Sequence, residues 1–363
     1  MTARLADSAA APSATGSAPK PDGRADPGAD PGANHAADLE AVLAAAVTSA
    51  VGESPDGRPL VLAEQITGRV TEQLAACVSA VRGLAQDRGR APADWSRFGQ
   101  VVPVLSGSPG AGASVVTAAL ADLLQRSGRC VLIVDASDPA RSGLAAAAAA
   151  DGPWTTPVTS DLAIRYSWRR YALLARLEAR LPAITPGMVP PPEVWLPQAE
   201  PLHATVADLG HDGWRIAANP LVGAGGWLRR GTPSTRPILV VRPTRPSLWH
   251  AEQVLARLDP WIRLGLVTPP RQLVVTGVRR WPRGVPGAAG GRVAPLVESA
   301  LFVPHDGELE IGGVTAAAMS ARVLNALVPL LADTDLGDPE PGAAQNPRRP
   351  AGDFGRRRCH STR

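Results

Sequence analysis

Lysine is almost missing from this chain: none follows Lys20, and nearly all the remaining positive charge is arginine. Arg and Ala in place of Lys and Ile fit a GC-rich coding sequence. Whatever the cause, no ammonium group exists beyond position 20 to serve as a catalytic cation. Cysteine is also scarce. Cys77, Cys130 and Cys359 are far apart, odd in number and without metal-ligand spacing, which excludes a disulfide framework and predicts a reduced, cytoplasmic setting. The N-terminus has no apolar core of signal-peptide length. No uninterrupted apolar run is long enough to span a bilayer. Neither sign of charge dominates. The 37 basic and 33 acidic residues leave a formal charge of +4, too slight to imply nucleic acid without further evidence. His203, His211, His250 and His305 show no ligand spacing, and no Ser/His/Asp or Cys/His arrangement marks a hydrolase. Phe and Tyr are rare while Trp occurs nine times; some of these rings are expected to pack the domain and others to form an exposed contact patch.

What is present divides into four parts. Residues 1–36 are rich in Ala, Pro, Gly, Ser and Asp and are expected to be disordered, because they carry too little apolar surface to offset chain entropy. Residues 37–90 read as a helical hairpin, with Ile66, Val70, Leu74 and Val78 on one face of its second helix. Residues 100–333 alternate short apolar runs with helical patterns. The runs lie at 101–105, 130–134, 204–209, 237–242, 272–278 and 300–303. They are apolar at consecutive positions, as parallel strands covered on both faces require. Helices are expected at about 114–127, 169–181, 247–258 and 314–332. The alternation predicts an α/β fold with a doubly wound, mostly parallel sheet, whose ligands sit beyond the carboxyl ends of the strands. Residues 334–363 turn Pro/Gly-rich and end in a basic tail containing Arg356, Arg357 and Arg358, again expected to be disordered.

The most informative segment is Gly107-Ser108-Pro109-Gly110-Ala111-Gly112-Ala113-Ser114. It follows the run Val101-Val102-Pro103-Val104-Leu105 and opens a helical pattern through Leu120 and Leu124. Strand, glycine-rich loop and helix in that order are the setting of a phosphate-binding loop, G-x-x-x-x-G-K-[ST]. Gly107, Gly112 and Ser114 fit; the lysine position holds Ala113. Such a loop wraps phosphate with backbone N–H groups at a helix N-terminus, and Ser114 would place its hydroxyl on Mg²⁺. Taken alone, the segment reads equally as a glycine-rich turn that never meets phosphate. Two strand ends support the phosphate reading. Val131-Leu132-Ile133-Val134-Asp135-Ala136-Ser137-Asp138 ends in carboxylates able to orient water or Mg²⁺. Val206-Ala207-Asp208-Leu209-Gly210 resembles a Walker B strand, with Asp208 holding Mg²⁺ through water.

Together these motifs resemble the ParA/MinD superfamily of deviant P-loop ATPases over roughly residues 100–330. The resemblance implies a P-loop NTPase-like sheet and a site for ATP and Mg²⁺. It carries the nucleotide contacts to Gly107, Ser108, Gly110, Ala111, Gly112, Ala113, Ser114 and Val115, and metal binding to Ser114 and Asp208. The family loop, similar to GKGGxGKT, has two lysines; here they fall on Ser108 and Ala113. Its D-x-D maps onto Asp135 and either Ser137 or, shifted by one, Asp138, so Asp135 and Asp138 are the catalytic candidates. An Asn that reads adenine maps near Thr276. Pro304-His305-Asp306 is similar to the Pro-x-Asp stretch bordering the base. A loop without its lysine also resembles the septum-site and pilus-assembly (TadZ/CpaE-like) branch, whose receiver-like N-terminal domain is not evident here.

The expectation is a degenerate nucleotide module that binds ATP and Mg²⁺ weakly or not at all. It would act through protein partners in partition, septum, pilus or DNA-transfer positioning, recruited by a partner to membrane or nucleoid. Relatives dimerise around two ATP molecules with a loop lysine reaching across, so a homodimer here should not depend on ATP. Two alternatives stand: an active Mg-ATPase in which an arginine of this chain (Arg141, Arg242 or Arg245) or of a partner replaces the lysine, and an arginine-led DNA-binding protein, with weak DNA or anionic-surface contact through the tail.

Overall fold

The computed structural model describes residues 92–197 and 201–333; the expectations for 1–36, 37–90 and 334–363 lie outside them. Apart from a two-residue ribbon, β1 (Ala93–Asp94) paired with β8 (Gly231–Thr232), the strands form one sheet. They are β2 (Gln100–Ser106), β3 (Val131–Asp135), β4 (Ala150–Pro157), β5 (Leu162–Arg169), β6 (Ala172–Ala179), β7 (Ala204–Asp208), β9 (Ile238–Val241), β10 (Gln272–Thr276) and β11 (Leu301–Val303). Their order is β11-β10-β9-β2-β7-β3-β6-β5-β4. Pairing is parallel from β11 to β6 and antiparallel only at β6–β5 and β5–β4.

The consecutive apolar residues of the central strands serve two faces. Val102, Val104, Ile133, Val206, Val240 and Val274 join one core cluster with the helix Ala113–Arg126 and the helix Ala321–Leu327. The intervening Val101, Leu105, Leu132, Ala207, Leu239 and Val275 are equally buried, and the helix Arg245–Arg263 packs against β9 on that side. A helix buries one stripe and a central strand buries both sides, which is why these strands show no polar alternation.

Two expectations are corrected. Residues 169–181 are not a helix but the turn and second strand of the β5–β6 hairpin. Ala, Leu, Arg and Glu at 172–179 favour a helix, yet β6 is recruited by β3, with Leu132 opposite Leu173 and Asp135 opposite Arg176. Arg170, at φ +56°, makes the tight turn into it. Residues 314–332 are not one helix either. Residues 314–320 are irregular, with bends at 314, 316 and 317, Ser320 caps the helix Ala321–Leu327 through Val323 N, and Pro329 starts a separate short helix.

Sheet order places the site. From β2 the chain builds outward on one side through β7, β3 and β6, and on the other through β9, β10 and β11. The crevice beyond the carboxyl end of β2 is therefore a topological switch point.

Candidate phosphate-binding site

The glycine-rich segment leaves β2 at that crevice and enters the helix Ala113–Arg126. Gly107 donates its N–H to Val240 O at 2.8 Å. A Cβ there would stand 2.9 Å from Val241 Cγ1 and 3.1 Å from Ala251 Cβ, so only glycine fits between β9 and the helix behind it. Gly112, the N-cap, has φ +91°, a left-handed turn that glycine adopts without strain. Thr276, at the end of β10, donates its hydroxyl to Ala111 O at 2.6 Å and pins the loop from the side. The first intrahelical bond runs from Val116 N to Gly112 O. The N–H groups of Ala113, Ser114 and Val115 thus have no acceptor among the described residues, the usual condition of a first helical turn. A helix start of this geometry is what anion binding uses.

Neither lysine position offers a cation. Ser108 is buried, and its hydroxyl is 2.7 Å from Ser247 Oγ, which also accepts from Arg242 N at 2.9 Å. Ala113 is part of the core cluster. Among the candidate replacements, Arg141 and Arg242 are exposed, and Arg245 donates from Nε to Gly284 O at 3.3 Å.

The carboxylates behind the loop come from adjacent strands in register. Asp135 of β3 lies opposite Asp208 of β7, and both are buried. Asp208 Oδ1 accepts from Gly210 N at 3.0 Å, whereas Oδ2 is buried without a hydrogen-bond partner. Burial, then the neighbouring Asp135, pushes the Asp208 carboxyl up to about 7; the facing Ser114 hydroxyl and the Gly210 N–H oppose that rise. Burial also raises Asp135, against the Ser137 backbone N–H, the Ser142 hydroxyl and the nearby Arg176. Ser137 Oγ is a second buried oxygen without a partner. His211, on the next turn, has Nε2 at 2.9 Å from Ala136 O, and burial pushes it down to about 4.

The structure separates the two catalytic candidates. Asp135 faces Asp208, whereas Asp138 turns its carboxylate to Ala140 N (3.1 Å) and Ile184 N (3.4 Å), capping a short turn. Pro304 lies beyond β11, next to β10, and Asp306 caps the helix Gly307–Gly312 and accepts from Ser320 Oγ at 2.7 Å. Sequence reasoning missed Ser142 and Gly143. Ser142 donates a close hydrogen bond to Asp135 Oδ2, and Gly143 lies against Ser114. The sole signal for them was position a few residues after a strand-end carboxylate. A groove of about 630 Å³ is lined by Asp135, Pro139 and Ser142 together with Arg165, Arg176 and Glu178; no residue of the glycine-rich loop lines it.

Ser114 Oγ, Asp208 Oδ2 and Asp135 are the oxygens available to a hard cation. Among the described residues no group of three or more His, Cys, Asp or Glu could hold one alone. Mg²⁺ takes one or two carboxylates and completes its shell with water and phosphate, a demand that two carboxylates and a hydroxyl can meet. The orphaned Asp208 Oδ2 is the kind of atom such an ion satisfies.

No protein-family model matches the chain, and no curated protein is significantly similar to it. Solved structures resemble its chain course remotely. The septum site-determining protein MinD of Pyrococcus horikoshii OT3, complexed with Mg-ADP, is 17% identical over 66% of this chain and 96% of that one, with a TM-score of 0.43. The MinC:MinD cell division complex of Aquifex aeolicus gives 16%, 70%, 100% and 0.40. A nucleotide-binding protein of Archaeoglobus fulgidus in complex with ADP gives 13%, 60%, 86% and 0.35. Likenesses this remote carry no functional argument, which rests instead on the residues described above.

Proposed function

We propose that this chain is a degenerate phosphate-loop module of the ParA/MinD kind. It holds nucleotide weakly through backbone N–H groups and Mg²⁺ and acts through protein partners rather than by turnover. The observation carrying this reading is the juxtaposition of a glycine-shaped cradle, with acceptor-less amides at 113–115, and a Ser114–Asp208–Asp135 oxygen set, with alanine at the lysine position. When bound, Mg²⁺ would neutralise phosphate charge. Ser114 and Asp208 would hold it, and Asp135 would orient water. Loss of a charge-assisted hydrogen bond costs about 1.5–3 kcal/mol, or one to two decades in affinity. Calorimetric titration with Mg-ADP and Mg-ATP should give weak binding, and Ala113→Lys should tighten it by about ten- to a hundredfold. Absence of binding in both proteins rejects the proposal, as does brisk ATP turnover by the unmodified chain that Asp208→Ala abolishes, which would make the chain an active ATPase. Because Ser108 is tied to Ser247, a homodimer would form equally with and without ATP, as sedimentation can check.

A second reading, DNA binding, is favoured by one observation. Residues 242–251 and 276–297, which follow β9 and β10, contain six arginines and no carboxylate. Arg292 pairs with Glu252 at 3.2 Å. Arg242, Arg245, Arg279, Arg280 and Arg283 are exposed and, among the described residues, form no ion pair. Such a surface binds phosphate backbones with an affinity that falls steeply with salt. Anisotropy on duplex DNA between about 50 and 200 mM salt should show this, and each of Arg279→Glu and Arg280→Glu should lower the salt slope by about one. If neutralising Arg356, Arg357 and Arg358 abolishes binding instead, the tail carries it.

A further inference from the structure

The groove beside β3 carries charged side chains that the phosphate-loop reading does not use. Pairing sets Asp135, Arg176, Arg165 and Thr155 in one row across β3, β6, β5 and β4. Arg165 and Arg176 are thus direct cross-strand neighbours. Like charges so placed repel, and both side chains line the same open space of about 630 Å³. Arg180, just past β6, adds a third guanidinium to the lining. The carboxylates of the groove are each engaged by a donor of the chain. Arg165 donates a close hydrogen bond from Nε to Glu178. Asp161 accepts the Ser160 hydroxyl at 2.8 Å. Asp135 accepts Ser137 N at 3.2 Å and the Ser142 hydroxyl. Thr159 Oγ1 accepts from Asp161 N and Leu162 N at 3.2 and 3.1 Å, which leaves its O–H to donate. In the next row of the floor, Ala163 stands between Glu178 and Pro157 and keeps the space beside the arginines open.

We propose that this groove is a binding site for a small ligand bearing an oxyanion, a phosphate or carboxylate group, seated on Arg165 and Arg176 with Thr155 beside them. A guanidinium fork matches the paired oxygens of either group. An anion shared by two opposed arginines also relieves their repulsion. The space lies within the range of small-molecule sites and exceeds what one phosphate or carboxylate fills, so it takes the organic part of the ligand as well. Its lining holds no aromatic ring, so a sugar or an aliphatic chain suits it better than a nucleotide base. No residue of the glycine-rich loop takes part; the site stands whether or not that loop holds nucleotide.

The test is calorimetric titration of the full chain with glucose 6-phosphate and, separately, with succinate, at an ionic strength held constant with sodium chloride. One of the two should bind one-to-one, and which one does tells phosphate from carboxylate. Arg165→Gln and Arg176→Gln should each weaken that binding by about ten- to a hundredfold, the loss of a charge-assisted hydrogen bond. Ala163→Leu, which fills the floor and removes no charge, should weaken it as well. Circular dichroism melts identify the folded variants; should Arg176→Gln not fold, Arg165→Gln and Ala163→Leu decide. Saturating Mg-ADP should leave the binding unchanged. Displacement by Mg-ADP would put the probe in the glycine-rich turn and overturn the proposal. So would binding of neither probe, or binding that survives the arginine changes. A chain that fails to bind Mg-ADP defeats the phosphate-loop reading alone, because the arginine variants still decide this one.

Discussion

Replacing Asp122 by alanine is expected to lower the unfolding free energy by about 3–5 kcal/mol, because it strands a buried guanidinium. Arg169 is fully buried and Asp122 is 2% exposed. Arg169 Nε and Nη2 reach the two Asp122 oxygens at 3.2 and 2.9 Å. Its other donors go to Ala317 O (3.0 Å), Ala147 O (3.4 Å) and Thr315 O, so all five are used. Asp122 Oδ2 also accepts from Met319 N at 2.9 Å. One ion pair thus joins the helix after the glycine-rich loop, the β5–β6 hairpin and the irregular 314–320 segment. That segment can remain irregular because side chains satisfy part of its backbone. Urea unfolding of Asp122→Ala and of Asp122→Ala/Arg169→Met decides the matter: the double variant should recover part of the loss by removing the unpaired charge. A cost below about 1 kcal/mol for the single change would show that water or a rearranged neighbour solvates the guanidinium.

Asp208→Asn is expected to stabilise the ligand-free chain above neutral pH. The folded Asp208 carboxyl titrates near 7, above its ordinary value of 3.8. Between those values the folded chain binds more protons than the unfolded one, so this group's contribution is greatest below pH 4 and is lost as pH rises through 7. The native imidazole of His211, pushed down to about 4 from 6.5, acts oppositely: its contribution is present above 6.5 and lost as pH falls through 4. The two slopes oppose each other between 4 and 6.5. The variant keeps the His211 slope and loses the other, so its advantage should be negligible near pH 4 and reach about 3–4 kcal/mol at pH 8. Thermal unfolding across that range measures it. A pH-independent difference would mean that Asp208 ionises normally in the folded chain. On the function proposed above, the same change should weaken Mg-nucleotide binding.

Local pattern carried much of the architecture. The strands at 101–105, 130–134, 204–209, 237–242 and 272–278 could be read because a central strand buried on both faces must be apolar throughout. The glycine-rich turn could be read because close approach to β9 and a left-handed N-cap each demand glycine at a set spacing. The absence of lysine is a property of composition that no folding can reverse. Long-range pairing decided the rest. Residues 172–179 have helical propensity but are a strand, since β3 offers them a ladder and a buried apolar face worth more than local preference. Asp135 rather than Asp138 meets Asp208 because the register of β3 on β7 fixes which carboxylate faces inward. Ser142 and Gly143 reach Asp135 and Ser114 through chain path alone, and Arg169 finds Asp122 only once the hairpin has formed. Spacing reports on neighbours along the chain; what a side chain meets across the sheet depends on register, which only the assembled core sets.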